Sequence, residues 1–273
     1  MSRVSSPPAS STLTEPISRL TSTWTHTGEF MVHAKRSITS VPEDAPTVVM
    51  VHGVGVSHRY LMPTAEFLAS FCSVWVPDLP GFGLSSKPKH VLTLRQLADA
   101  LTIWMRAANI KSAALLGNSF GCQIIADFAV RHPTLIDRAI LQGPTVDPAG
   151  RTARQQLWRW LVNGRHEAPA QSLIILRDYR DCGLRRVFRT FAYALEDHIE
   201  STLPHVRVPT LVVRGSRDVI VPQRWAEEVT RLLPDGRLAI IPGGAHTLNY
   251  QKPAELTDVV RQFLLQTAKR DAA

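Results

Sequence analysis

Residues 113–131, AALLGNSFGCQIIADFAVR, contain the pattern that decides the fold of this chain. The apolar run at 113–116 predicts a buried strand, and residues 122–130 have the periodicity of a helix. Between them stands the pentapeptide GNSFG at 117–121, a G-x-S-x-G sequence. Its glycines suit a sharp turn in which larger side chains would clash. The stretch therefore predicts a strand, a tight turn and a helix, with Ser119 exposed at the turn.

A serine in this setting is a candidate nucleophile. Because a hydroxyl is a weak nucleophile, it needs a neighbouring base that a third group orients. His246 ends the sequence PGGAH just past the last predicted strand, and Asp218 ends RGSRD just past the strand before it. The order Ser, Asp, His along the chain differs from the orders of the chymotrypsin and subtilisin types. The sequence therefore predicts a triad of Ser119, Asp218 and His246.

A second aspartate remains an alternative acid. Asp147 follows the predicted strand at 138–141, from where a carboxylate can also reach the histidine loop. The acid has only to hydrogen-bond the imidazole, so either loop meets this requirement. We favour Asp218 because it directly follows the strand that precedes the histidine strand.

The composition is that of a globular protein. The chain has 273 residues, of which 44% are hydrophobic and 20% charged, and its formal net charge is +8. The basic residues are scattered along the sequence without a stacking-aromatic motif, which argues against nucleic acid as a partner. The three cysteines are widely spaced and odd in number, which indicates reduced thiols in a cytoplasmic protein rather than disulfides or a zinc site.

No membrane-spanning or targeting segment is predicted. The N-terminus lacks the apolar core of a signal peptide, and no run of 18 apolar residues occurs. We therefore expect no integral membrane association. Residues 1–20 are rich in Ser, Thr and Pro and predict a disordered N-terminal tail.

The rest of the chain divides into three segments. Residues 21–144 and 205–273 alternate apolar runs with amphipathic stretches, which predicts a parallel sheet with helices on both faces. Residues 145–204 show only helical patterns and predict an inserted helical cap. Trp158 and Trp160 in this segment are the candidate substrate-binding residues; the alternative is that they pack only against their neighbours.

Together with two further segments, these motifs resemble the α/β-hydrolase superfamily. HGVG at 52–55 follows the strand at 47–51, and DLPGFGLS occupies 78–85. The resemblance spans about residues 22–267 and implies an α/β-hydrolase fold with a mostly parallel eight-stranded sheet and a helical cap. It also implies the nucleophile, acid and base named above.

The resemblance further implies the chemistry of the site. The backbone N–H groups of Val54 and Phe120 would form the oxyanion hole. The implied activity is that of a serine hydrolase without cofactor or metal, acting on a small carboxylic ester or thioester with an apolar acyl or aromatic part.

Two alternatives to this activity stay open. The GNS spelling of the elbow is similar to that of hydrolases that cleave C–C bonds in ring-fission products. The chain departs from that subgroup at Thr247, where a tryptophan is typical, and at Cys122, where many relatives have glycine. A ligand receptor or regulator on the same fold is the other alternative, because fold does not dictate function.

Overall fold

The computed structural model describes residues 18–268, which contain a single sheet of eight strands. The strand order is β1-β2-β4-β3-β5-β6-β7-β8. The first two strands form an antiparallel hairpin, β2 pairs antiparallel with β4, and all other pairs are parallel. The predicted mostly parallel eight-stranded sheet is thus confirmed. The strands are β1 Leu20–His26, β2 Met31–Ser37, β3 Thr47–Val51, β4 Ser73–Pro77, β5 Ala113–Asn118, β6 Ile136–Gln142, β7 Thr210–Gly215 and β8 Gly236–Ile241.

Helices cover both faces of this sheet. They are α1 Met62–Leu68, α2 Leu94–Ala107, α3 Phe120–Arg131, α4 Ala153–Gly164, α5 Pro169–Cys182, α6 Leu184–Glu196, α7 Ile199–Thr202, α8 Gln223–Leu232, α9 Leu248–Gln251 and α10 Pro253–Ala268.

Strand β3 explains why the sheet is covered on both sides. Its side chains alternate between the faces, as the period of two requires. Val49 and Val51 join a buried cluster that includes α2, α3 and α8, whereas Val48 and Met50 join a second cluster that includes α1 and α10. Continuous apolar strands are therefore needed here, because both faces exclude water.

Helices α4 to α7 follow one another between β6 and β7, within residues 145–204, which we call the cap. Helix α5 packs against α6 and against the short 3₁₀ helix His58–Leu61 that follows β3. Helix α7 packs against α3. These contacts hold the cap on the side of the sheet where Ser119 emerges.

The predictions for the N-terminal tail, the cysteines and membrane-spanning segments can also be compared with the structure. Most of the predicted tail, residues 1–17, lies outside the described residues. Residues 18–20 are described: the Arg19 N–H donates to the Glu66 carboxylate at 2.8 Å, and β1 begins at residue 20. All three cysteines are buried and free. Between residues 18 and 268, no helix has both the length and the hydrophobicity to cross a membrane.

Candidate active site

Ser119 occupies a strained turn between β5 and α3. Its φ is +58°, which is rare for a residue with a side chain and has to be stabilised by its surroundings. The flanking glycines permit this turn. A Cβ at Gly117 would lie 2.6 Å from the carbonyl carbon of Gly121, and a Cβ at Gly121 would lie 2.4 Å from the Val51 oxygen. The G-x-S-x-G spacing is therefore a steric requirement of strand and helix packing.

His246 and Asp218 meet on neighbouring loops, after β8 and β7 respectively. Nδ1 of His246 lies 2.8 Å from Oδ2 of Asp218, and both side chains are buried. Oδ1 of Asp218 accepts the Val221 N–H at 2.9 Å, which orients the carboxylate. Because an ionised carboxylate only accepts, the hydrogen bond assigns the proton to Nδ1. Nε2 of His246 is buried and has no partner among the described residues, and His246 and Ser119 line the same cavity.

The ends of β5 and β6 hold the histidine loop in place. The His246 carbonyl accepts from Gln142 Nε2 at 2.8 Å and from Asn118 Nδ2 at 3.3 Å. Gly143 has a φ of +60°, and a Cβ there would lie 2.9 Å from Cε1 of His246. The imidazole thus packs against a residue that has to be glycine.

Asp147, the alternative acid, is engaged elsewhere. Its carboxylate lies 2.8 Å from Nη2 of Arg159 on α4 and 2.5 Å from Nη2 of Arg224 on α8. Burial raises the pKa of Asp147, but these two guanidinium groups outweigh that effect and lower it. The structure brings Asp218 to the imidazole, and it uses Asp147 to join the cap to the core.

Of the two residues predicted to supply oxyanion donors, one lines the cavity and the other directly follows Ser119. Val54 lines the same cavity as Ser119. Phe120 is the first residue of α3, and N–H groups in the first turn of a helix have no acceptor within it. A carbonyl carbon next to the Ser119 hydroxyl would therefore place its oxygen in a region that favours negative charge.

A hydrogen-bonded chain supports the loop that carries Val54. The Gly53 N–H donates to the Tyr60 hydroxyl at 2.8 Å, which in turn donates to Oδ1 of Asn118 at 2.9 Å. His52 bonds the Gly53 carbonyl through Nδ1 at 2.9 Å and accepts the Leu79 N–H through Nε2 at 3.1 Å. Burial lowers the pKa of His52, which favours this neutral form. His52 therefore holds its loop and has no nitrogen left to act as a base.

The cavity at Ser119 has a volume of about 250 Å³ and is lined mainly by apolar side chains, most of which belong to the cap. Trp160 contributes to this lining, together with Leu157 and Phe188. Trp158 does not: it is 64% exposed and lies beside Arg154 on another side of α4. The structure therefore separates the two tryptophans that the sequence treats alike.

Comparison with known families agrees with the fold. The model of the α/β-hydrolase fold family matches residues 46–173, and a second, described as TAP-like protein, matches residues 190–272. The chain belongs to the α/β-hydrolase superfamily. The names of the proteins that this hydrolase resembles indicate that they cleave different kinds of bond.

Three of these relatives illustrate the range. The pyrrolizixenacetamide deacetylase of Xenorhabdus hominickii is 25% identical over 248 residues, covering 81% of this chain and 91% of the relative. The enol-lactonase of Burkholderia xenovorans LB400 has a TM-score of 0.71 at 20% identity, covering 89% of this chain and 100% of the other. The meta-cleavage product hydrolase of Pseudomonas fluorescens IP01 has a TM-score of 0.70 at 19% identity, covering 90% and 98%. The two structures share the fold, and together these findings support a hydrolase.

Two cap side chains of this hydrolase bind the loops that carry the candidate acid and base. Glu167 accepts the Thr247 N–H at 3.1 Å and the Asn163 amide at 2.6 Å, and the Thr247 hydroxyl also donates to it. Oδ1 of Asn163 accepts the Val219 N–H at 3.4 Å. Val219 and Thr247 directly follow the aspartate and the histidine. The sequence does not reveal the role of Asn163 and Glu167. Their spacing of four residues is typical of neighbours on one helix face, but it does not indicate which loops the two side chains contact.

The charge of Glu167 should be visible in the pH dependence of the reaction. Burial lowers the pKa of His246, but the Asp218 carboxylate, helped by Glu167, outweighs it and raises the pKa. A protonated imidazole cannot accept the serine proton, so kcat/KM should rise with pH through an ionisation above about 6.5. Glu167→Gln removes one negative charge near His246 and should move this limb to lower pH.

The matched control is Glu196→Gln, which removes an exposed cap carboxylate. It should leave the profile unchanged. The measurement is kcat/KM for a p-nitrophenyl ester across pH. If the pH dependence of kcat/KM is the same in Glu167→Gln as in the wild type, Glu167 only holds the loop and its charge does not affect His246.

A second polar cluster lies outside the cavity lining. His33, His58 and Asp78 are buried with potential ligand atoms within 4.8 Å of one another. Asp78 already accepts from Nδ1 of His33 at 2.9 Å, from Nδ1 of His58 at 2.8 Å, and from the N–H groups of His58 and Leu84. Burial raises the pKa of Asp78, but these hydrogen bonds outweigh it and lower the pKa. The arrangement is that of an ionised carboxylate with its acceptor positions filled, and it holds the loop at 78–85.

Proposed function

We propose that this hydrolase cleaves a carboxylic ester or thioester through an acyl-enzyme on Ser119. The observation that carries the proposal is the hydrogen-bonded pair of His246 and Asp218, whose free Nε2 is buried at the cavity that Ser119 lines. A nucleophile on an elbow, a base and an orienting acid are the parts that acyl transfer needs.

The reaction proceeds in two halves. In the first, Nε2 of His246 takes the Ser119 proton as Oγ attacks the carbonyl carbon. The N–H groups of Val54 and Phe120 stabilise the oxyanion, with about 3–4 kcal/mol lost when one such donor is removed. The tetrahedral intermediate collapses as the imidazolium gives its proton to the leaving oxygen or sulfur.

In the second half, water replaces the leaving group. His246 takes a proton from water as the hydroxide oxygen attacks the acyl carbon. Collapse of the second intermediate returns this proton to Oγ and releases the carboxylic acid. Asp218 stays ionised throughout and stabilises the imidazolium.

The cavity favours an apolar acyl or aromatic part in the substrate. Val187, Phe191 and Ile175 line it along with the residues named above, and its polar lining includes Asn118 and Thr247, the neighbours of Ser119 and His246 in the sequence. Pockets of this kind bind by apolar contact and use a few polar groups for orientation.

The bond that is cleaved can be tested with a substrate panel. We would measure turnover of p-nitrophenyl esters of graded chain length, acyl-CoA thioesters and vinylogous 1,5-diketone acids, each with Ser119→Ala as the blank. Serine-dependent turnover of esters or thioesters supports the proposal. Turnover of the diketone acids alone would favour C–C bond hydrolysis, and binding followed by at most a few turnovers would favour a receptor.

The two cap tryptophans form a matched pair for testing the cavity. Trp160→Ala should change the relative kcat/KM among esters of different size by about 1–3 kcal/mol, because Trp160 lines the cavity. Trp158→Ala should leave the ester profile unchanged, because Trp158 lies outside it. Labelling of Ser119 by a small phosphonate should persist in both variants. Equal effects from both tryptophans would contradict the assignment of Trp160 to the substrate.

A further inference from the structure

The cap presents several large apolar side chains to solvent, and some of them also line the cavity. We define the mouth patch as Leu157, Trp160, Leu161, Leu184 and Phe188, whose exposed fractions run from 45% to 67%. On α4, Trp160 and Leu161 follow Leu157 by three and four residues. On α6, Phe188 follows Leu184 by four residues. Each set therefore shares one helix face. Exposed apolar groups of this size that cluster together are typical of an interaction surface.

The mouth patch is continuous with the candidate active site. Leu157, Trp160 and Phe188 are 55%, 45% and 67% exposed, and the same three side chains line the cavity that reaches Ser119. On α5, Leu173 and Leu176 are also exposed, by 72% and 68%. A surface that covers the patch would therefore also meet the entrance for the substrate.

The exposed charge of the cap is mostly positive. Six arginines of the cap are exposed, whereas a single exposed acidic residue, Glu196, occurs in the cap, all of which is described. Four of these arginines form no ion pair with any residue between 18 and 268: Arg154, Arg165, Arg185 and Arg189. Arg185 and Arg189 lie beside Phe188, which places cations next to the cavity mouth.

We infer that the cap docks on an anionic lipid bilayer, with the mouth patch in the interface and the arginines on lipid headgroups. Apolar side chains beside exposed cations are the composition that binds such an interface, and tryptophan favours the headgroup region. Each arginine near an anionic surface adds about fivefold to the partition constant. The docking is peripheral and needs no spanning helix.

Charge complementarity favours a bilayer over the other possible occupants. In a dimer through this face, the arginines of one copy would meet those of the other, and like charges repel. The segments outside the described residues, 1–17 and 269–273, together carry three basic and two acidic residues, so they offer no net negative charge to match the arginines.

The test is co-sedimentation of the full chain with vesicles of phosphatidylcholine, with and without phosphatidylglycerol. The wild type should bind the anionic vesicles and lose most of this binding in high salt, which screens the headgroups. Arg185→Glu with Arg189→Glu should weaken binding about 25-fold or more. Leu161→Glu with Leu184→Glu should weaken it about tenfold or more, through lost apolar burial. None of these four residues lines the cavity.

Matched controls lie on the core. Leu265 on α10 is 55% exposed and Arg106 on α2 is exposed, so Leu265→Glu and Arg106→Glu make the same kinds of change, one at a time, away from the cap and should bind as the wild type does. Ser119→Ala should also bind normally, which separates this inference from the proposed function. Circular dichroism checks that each variant is folded.

Three results would overturn the inference. The first is equal binding of the wild type to neutral and anionic vesicles, and the second is an equal loss of binding in the cap variants and the core controls. The third is a wild type that does not bind vesicles but forms a dimer, and this dimer dissociates in the leucine variants. The last result would assign the mouth patch to a second copy of the chain.

Discussion

Replacing Ser119 by alanine is expected to lower kcat by about 10⁴-fold or more while leaving the fold intact. The substitution removes Oγ, the atom that attacks the carbonyl carbon, and no other group in the cavity can take its place at the elbow. Alanine retains the Cβ, so the positive φ of the turn is no harder to maintain than with serine. The measurement is turnover of the best ester, with circular dichroism to verify folding.

A fluorophosphonate probe gives an independent readout of the same prediction. It should label the wild type at Ser119, and labelling should disappear in Ser119→Ala. Ser201→Ala is the control, because Ser201 is an exposed cap serine whose hydroxyl bonds the His198 carbonyl at 2.7 Å. Labelling that persists in Ser119→Ala would show that the nucleophile has been misassigned.

Asp218→Asn is expected to lower kcat by about 10⁴-fold, since asparagine keeps the shape but not the charge. An amide cannot stabilise the imidazolium at 2.8 Å, and its NH₂ group can hold His246 in the tautomer with the proton on Nε2. That tautomer cannot accept the serine proton. The measurement compares kcat and kcat/KM of the variant with those of the wild type.

Asp147→Asn is the matched comparison. Asp147 is as buried as Asp218 but bonds Arg159 and Arg224, so its loss should affect the anchoring of the cap and thermal stability more than the chemical step. We expect a fall in kcat far smaller than that of Asp218→Asn. If Asp147→Asn is the more damaging change at the chemical step, the acid belongs to the loop after β6.

The sequence by itself predicted the sheet and the positions of Ser119, Asp218 and His246 along it. This succeeds because the signals are local. Strand β3 has the predicted bounds, 47–51, because four of its five residues are apolar and buried and the strand lies in the middle of the sheet. The glycines around Ser119 reflect a turn whose sterics involve neighbouring residues and one adjacent strand. The three predicted functional side chains follow strands, and parallel strands bring their carboxyl ends to one edge.

Only the tertiary structure decided how the cap meets this edge. Trp158 and Trp160 are the same residue type two positions apart, yet the packing of α4 places Trp160 at the cavity and leaves Trp158 in solvent. Asn163 and Glu167 reach loops more than fifty residues away, and no local pattern encodes such a distance. The exposed arginines of the cap come from different helices but share its surface, because helix phase and chain reversal determine which side chains become neighbours.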